Sequence, residues 1–556
     1  RSKSRSVLMK MSVAMVRPCF PCWLCGRRSL SACRRGARRR GGREGRGGRR
    51  ASTALSAQRL ELGALAALAS HLPLPDEVHR RLVQLQPQGR VEGLSARWQS
   101  GLDVYEARGR VSGLALAGEH SGRMSESERF PLPGRPGIRG AEVDFDLNRD
   151  GGRAHMEITD GSIELPDVFE ESSVPLQHLQ AEASWRVRGG RIEAQLDNLR
   201  LANADAEGTA QVRWHTSDVP PGSTASRFPG VLDLTATLTR ADATRVHRYL
   251  PLTINAEARH YVREAVRGGH SSQVSFRVQG PVDHVPFDKP GEQGEFRIAA
   301  SLQQVDFDYL PAFLQDPGDV SWPGLRGVSG ELVLDRSSLK LSRLEGGVAS
   351  APGVRLGQGV VEVEDLGREA VLVVDARAQG PASEVLGFVQ RSPLNTMTGE
   401  ALARARIGGN AELAFGMQMP LADVRSTRLG GSVKLPGNDL QISPDTPLLG
   451  RASGTLDFSE SGFSVRAAQA RVYGGELRFE GGLRPDGQGV SRLQFRGQGS
   501  AMAGRSIKQR LDIVPGDREC GSGLRDHGGR LLQCGRRRVM LGGGLSSPVR
   551  FGPGLG

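Results

Sequence analysis

The residues best placed to do chemistry are acids. Asp146, Asn148, Asp150 and Gly151, with Glu157 six positions further on, follow the D-x-[DN]-x-[DN]-G-x5-E spacing of a calcium loop. That loop needs a helix on each side to swing its oxygens onto one ion. Here the flanks, Glu142–Phe145 and Ile158–Asp160, alternate apolar and polar as strands do, and Arg153 stands where an apolar residue normally packs. The stretch is expected to be a hairpin turn that binds no metal. Asp144/Asp146 and Asp306/Asp308 are carboxylate pairs two residues apart. At that spacing both members share one strand face, and a glycan-cleaving pair is one use for them. Solvated acids on the outer side of a sheet have the same spacing and are far commoner, and that is the role expected here.

Cys19, Cys22 and Cys25, with Cys33 beyond, have part of a metal or iron–sulfur spacing. Their flanks are Arg-rich and no periodic segment surrounds them, so no ligand set is assigned. The eleven histidines are scattered, without an HExxH pair. There is no G-x-S-x-G elbow, no phosphate loop and no G-x-G-x-x-G after a strand. No catalytic residue, metal ligand or cofactor follows from the sequence, and an enzyme is not expected. Trp98, Trp185, Trp214 and Trp322 sit in or beside strands and are expected to pack or to line a face.

The elements that would carry these residues are mostly strands. In Arg451–Leu483, Leu456 and Phe458 point one way and Thr455 and Asp457 the other. Phe463, Val465 and Ala467 share a side, as do Leu477 and Phe479 against Glu476, Arg478 and Glu480. Gly474-Gly475 and Gly481-Gly482 supply turns. Segments of this kind recur about every 8–14 residues, the spacing of an all-β chain. Helices are expected only at Gln58–His71, Ala243–Tyr249, Asn255–Arg267, which Gly268-Gly269 should stop, and Ala382–Gln390. With 38% apolar residues, 5% aromatic residues and 74 glycines, the chain has little for a thick closed core and much for turns. It suits a long thin sheet, greasy on one face and wet on the other.

Charge and cysteine divide the chain in three. Of the net +13, residues 1–50 hold +15, from sixteen Lys and Arg against Glu44, which leaves the other 506 residues at −2. A near-neutral body has no basic stripe for a phosphate backbone, so nucleic acid is not an expected partner. All six cysteines lie before residue 34 or after residue 519. Residues 1–50 and 516–556 lack strand periodicity and are expected to be disordered, or to be read in a wrong frame, around a body at 51–515.

Four stretches of that body carry a resemblance: YLPLTINAEARHYVREAVRGGHSSQVSFRVQGPVDHVPF (249–287), VSWPGLRGVSGELVLDRSSLKL (320–341), GPASEVLGFVQRSPL (380–394) and RVYGGELRFEGGL (471–483). Together, and in this order, they resemble the AsmA-like, YhdP-type family of Gram-negative bacteria over roughly residues 51–515. Tyr261 stands where that family tends to have Trp. The resemblance implies an elongated antiparallel sheet curled into a hydrophobic trough, a repeating β-groove. It also implies a periplasmic protein held in the inner membrane by an N-terminal helix that this chain lacks. Its implied role is non-enzymatic transport of phospholipid between the inner and outer membranes, in support of the outer-membrane permeability barrier. The implied partners are phospholipid acyl chains and the two membranes or their proteins.

The residues are consistent with that role. A sheet of about 25–30 strands at ~4.8 Å each would be on the order of 120–140 Å long, too long for a few short helices to cover. An apolar face left bare over that length should bind something apolar. The lining candidates are the in-phase apolar residues Leu234, Leu332, Val373, Leu456, Phe458, Phe463, Val465, Leu477 and Phe479. Two other readings compete. One is a structural scaffold or assembly factor for the outer membrane. The other, a carbohydrate-active solenoid, would need a fixed repeat period that is not present.

Overall fold

The computed structural model describes residues 52–499, apart from short gaps, together with 532–537. Its strands are β1 (Ser52–Glu61), β2 (Gln88–Gln99), β3 (Tyr105–Leu116), β4 (Gly137–Asn148), β5 (Gly151–Glu164), β6 (Ser173–Arg188), β7 (Arg191–Ala202) and β8 (Ala206–His215). Next come β9 (Val231–Asp242), β10 (Val266–Pro281), β11 (Glu295–Phe307), β12 (Leu325–Asp335), β13 (Ser338–Val348), β14 (Ala351–Val363) and β15 (Val371–Pro381). The series ends with β16 (Arg406–Ile407), β17 (Asn410–Pro420), β18 (Arg428–Gln441), β19 (Leu449–Ser459), β20 (Gly462–Val472), β21 (Gly475–Pro485), β22 (Ser491–Gly499) and β23 (Leu532–Arg537).

All belong to one antiparallel sheet. Pairing follows chain order from β1 onward, with β16 and β17 sharing one place against β18. Among the described residues β1 pairs only with β2 and β23 only with β22, so the sheet does not close into a barrel. The alternation of apolar and polar residues dictates this meander, because each strand has one side to bury and one to wet.

Bulges curl the sheet. Gly93, Gly113, Asp160, Asn198, Gln304, Arg343 and Ala467 all have positive φ inside strands, where the register slips. Five of these seven are not glycine, so the ladder on both sides holds them in a conformation that costs on the order of 1 kcal/mol each. A bulge adds a residue to one strand, bends it and increases local twist. Repeated from strand to strand, that turns a flat sheet into a trough.

Antiparallel order puts every connection after an odd-numbered strand up to β15 on one rim. Among the described residues the α-helices all lie on that rim, with the longest 3-10 helix: α1 (Leu62–Ala69) and α2 (Asp76–Leu85) before β2, a 3-10 helix (Ala243–Tyr249) and α3 (Ala256–Ala265) before β10, and α4 (Ala382–Gln390) and α5 (Leu394–Met397) before β16, while the short 3-10 turn Val282–His284 lies on the other. The opposite rim has two-residue turns at 149–150, 189–190 and 336–337, and longer loops at 216–230 and 282–294.

Four expectations are corrected. Gln58–Glu61 is strand, because Arg59 and Leu60 pair with Glu92 and Val91 before the helix starts at Leu62. Gly268-Gly269 does not stop a helix; α3 ends at Ala265, and the glycines form a bulge within β10, where Gly269 has φ +105° and a Cβ would meet the Val305 backbone. Ala467 does not share the side of Phe463 and Val465, since it is the exposed bulge residue of β20. Finally α2 (Asp76–Leu85) and α5 (Leu394–Met397) are helices outside the expected set. At the other end of the sheet β23 pairs with β22. Residues 1–50 and their cysteines lie outside the described residues.

Candidate functional site: the apolar inner face

Register places the apolar residues in rows that run across the strands. One row is Val212, Leu234, Val278 and Phe296. A second links Ala300, Leu332, Leu341, Val361, Val374 and Met417. A third joins Leu413, Val433, Leu456 and Val465. Phe415, Gly431, Phe458 and Phe463 form its neighbour, and a Cβ at Gly431 would run into the Phe458 ring. Beyond the Ala467 bulge the phase moves by one residue, so Ala468 and Ala470 face Phe479 and Leu477.

Eight of the nine lining candidates therefore share one continuous face. Val373 does not. It pairs with Glu362 and Gln418, next to the Lys340–Glu362 ion pair, on the opposite side from Leu372 and Val374. In the all-apolar run Val371–Val374 alternation is silent, and only the ladder assigns the face. The run Leu413, Phe415, Met417 and Met419 belongs to the inner face and was legible as an alternation that the candidates did not include.

The face is only partly covered. Leu234, Leu332, Leu456, Phe458, Phe463, Val465, Leu477 and Phe479 are all half-buried, neither locked in a core nor free on a surface. Buried clusters are local. One gathers Val212, Leu232, Val278 and Phe296 under Val282, Val285 and Phe287; another gathers Ala141, Ile158, Leu176, Leu179 and Ala181.

The outer face is laced by ion pairs across strands. Arg110 meets Glu142 at 2.7 Å and Asp144 at 3.5 Å, Arg297 meets Asp335 at 2.9 Å, and Lys434 meets Glu412 at 3.1 Å. Arg277 and Arg466 pair with Asp233 and Asp457. These pairs are largely exposed and add little stability, but they keep charge on the wet side and so fix which face is greasy.

The acids weighed as chemistry are taken up by this scaffold. Asn148 Oδ1 accepts from the Asp150 N–H at 2.8 Å in the turn, Asp146 pairs with Arg153 at 3.3 Å, and Glu157 stands opposite Glu142. The calcium spacing is thus spread along a hairpin ladder and cannot converge on one ion. Asp306 accepts from the Gly327 N–H at 2.9 Å, and Asp308 pairs with Arg267 and Arg326 at 3.4 and 3.3 Å. No group of three or more metal-ligating side chains occurs among the described residues. Trp214 is buried; its Nε1 donates to the Pro229 carbonyl at 2.8 Å and its ring stacks on Phe228 at 5.9 Å.

The helical rim is pinned by polar contacts. Asp242 accepts from the Thr244 N–H and Asn255 from the Ala258 N–H, capping the 3-10 helix and α3. Arg248 reaches Asp205 at 2.6 Å and Glu171 at 2.7 Å, and the Tyr249 hydroxyl donates to Asp205 at 2.9 Å. The Tyr261 hydroxyl donates to the Tyr309 carbonyl at 3.1 Å, and its ring meets Phe307 edge to face at 6.4 Å. Burial pushes the Tyr261 phenol up to about 12 and raises that of Tyr309 as well.

A long open antiparallel trough, greasy inside and charged outside, defines an AsmA-like groove protein. More narrowly, a sequence model of the YhdP protein family matches residues 37–514, and the chain belongs to that family. It is similar to the intermembrane phospholipid transporter YhdP of Escherichia coli K12, with 24% identity over 312 residues, which cover 56% of this chain and 21% of that protein. The chain thus matches about a fifth of the length of that relative. No solved structure matches the chain. No helix among the described residues is long and apolar enough to cross a membrane.

Proposed function

We propose that the chain carries phospholipid acyl chains along its inner face, between the inner and outer membranes and without chemical turnover, with headgroups left in water at the rims. The observation that carries this reading is the continuous half-exposed face through Leu332, Val374, Leu413, Leu456 and Phe479, on which no second layer packs among the described residues. Apolar surface left in contact with water is costly at ~25 cal/mol per Å2, and acyl chains remove that cost without a fixed jigsaw fit. The relative named as an intermembrane phospholipid transporter supports the same ligand. A periplasmic site, attachment to the inner membrane and support of the outer-membrane permeability barrier belong to this proposal.

Mass spectrometry of lipid extracted from the purified chain tests it. Co-purified phospholipid at or above equimolar amount is expected. A folded chain that is free of lipid, yet still restores the barrier in cells lacking it, would favour a scaffold instead.

A further inference from the structure

Towards the rim of short turns the inner face gains polar atoms. Trp98 and Tyr105 stand opposite each other at the ends of β2 and β3, and the Tyr105 carbonyl accepts from the Arg149 N–H at 3.3 Å. Leu147, Gly152, Trp185, Ala194, Trp214 and Leu232 form one row of the inner face, two residues inside the turn 149–150. The Trp185 ring lies over Gly152, where a Cβ would come within 2.7 Å of it. Trp98, Tyr105 and Trp185 are partly exposed, and their N–H and O–H groups have no hydrogen-bond partner among the described residues. Phe276, Phe415, Phe458, Phe463 and Phe479, further along the same face, have no polar side-chain atom. The border between an apolar face and water is where Trp and Tyr settle in a lipid interface.

Unpaired arginine sits on the same rim. At the tip of the β6–β7 hairpin Arg188 stands opposite Arg191. The loop 216–230 brings Arg227 beside that tip: a Cβ at Gly190 would stand 3.4 Å from its guanidinium. The neighbouring acids, Asp218 and Glu193, are both held by Arg191, at 2.5 and 2.9 Å. Arg188 and Arg227 have no ion pair among the described residues. Across the trough the balance is acidic. The connections 165–172, 203–205 and 243–265 hold Asp167, Glu170, Glu171, Asp205, Glu257 and Glu264 against four arginines. Three of those arginines are already paired, Arg248 with Asp205 and Glu171, and Arg259 and Arg263 with Glu170.

We propose that phospholipid lies across the trough in one orientation, its phosphate held at the short-turn rim by Arg188 and Arg227 and an ester carbonyl accepting from the Trp185 N–H. The tails then lie on the inner face and point towards the helical rim. The inference deepens the carriage reading above and rests on it. A phosphodiester is an anion, which guanidinium groups bind through charge-assisted hydrogen bonds and which acids on the far rim repel. Trp185 and Arg188 are three strand residues apart, ~10 Å, a span that the long arginine side chain shortens. An indole N–H only donates, so the ester carbonyl is the lipid group it fits at that depth.

The test offers the full chain phosphatidylethanolamine with a photoreactive diazirine on the headgroup or at the end of one tail, and maps the labelled peptides. The headgroup probe should label 186–191 and 216–230 and spare 165–172 and 243–265, while the tail probe labels the inner face. Arg188→Glu combined with Arg227→Glu should lower headgroup labelling at that rim about tenfold. If that pair fails to fold by circular dichroism, Arg188→Gln with Arg227→Gln should lower it in smaller measure. Either pair should leave labelling by a diacylglycerol tail probe, which lacks phosphate, unchanged. Trp185→Phe keeps a ring but removes the N–H, and should weaken labelling by ester-linked lipid about threefold and by ether-linked lipid not at all. Headgroup label on the helical rim, or equally on both rims, with tails still on the inner face, overturns the proposal and leaves carriage standing. Equal loss of phosphatidylethanolamine and diacylglycerol labelling in the arginine variants overturns it too. A tail probe that labels no inner-face peptide removes the carriage reading, and the orientation with it.

Discussion

At the scale of the residue, the account turns on which way a side chain points. Leu456 and Asp457 are neighbours on opposite faces, Leu456 opposite Val433 and Val465, Asp457 paired with Arg466. Leu456→Asp puts a carboxylate on a half-exposed face on which no second layer packs among the described residues, so the chain should stay folded and its melting temperature fall by only a few degrees, while lipid labelling is lost. In a closed core the same change would bury an unpaired charge, cost several kcal/mol and unfold the chain. Thermal melts of Leu456→Asp and of the outer-face control Asp457→Leu separate the two cases. Tyr261→Phe removes a hydrogen bond to the Tyr309 carbonyl and should cost about 1 kcal/mol in a denaturant titration. The Tyr261 phenol is raised from its usual 10 to about 12, so its burial favours the fold below pH 10, and that stability is lost as pH rises through about 12. An ultraviolet titration should show this tyrosine ionising well above its usual range, near pH 12, with loss of structure following.

The element scale shows where sequence pattern suffices and where it fails. Clean alternation, as in Leu456–Phe458 and Leu477–Phe479, told the face directly, because one period-two phase leaves one side to bury. It failed at Val373, where four apolar residues run together, and at Ala467, where a bulge resets the phase in mid-strand. A bulge at a non-glycine residue leaves no composition signal; it is imposed by the register of the two neighbouring strands. Ala467 holds φ +49°, so Ala467→Gly should relieve strain and raise stability by up to about 1 kcal/mol. Deleting Ala467 should destabilise the chain by more than that, because Ala468 and Ala470 would be turned to the wet face. Denaturant midpoints of the two variants check both signs. The cover over the Leu232 and Phe296 cluster was illegible for another reason: Val282–Phe287 has no period, and its place there depends on a contact that only the folded sheet creates.

For the whole molecule, the central claim is that one face of a curled sheet carries lipid along its length. The antiparallel, turn-rich character and the greasy face were readable from spacing, whereas the asymmetry of the rims follows from which connections happen to be long. The most direct measurement is a photocrosslinking scan, residue by residue, through β18–β20 with phospholipid present. Labelling should alternate with period two, strong at Val433, Leu456, Phe463 and Val465 and weak at Lys434, Thr455, Ser464 and Arg466. Past the bulge it should change phase, passing over Ala467 and Gln469 and returning at Ala468 and Ala470. Uniform labelling of both faces, or none on the inner rows of a folded chain, would contradict the account.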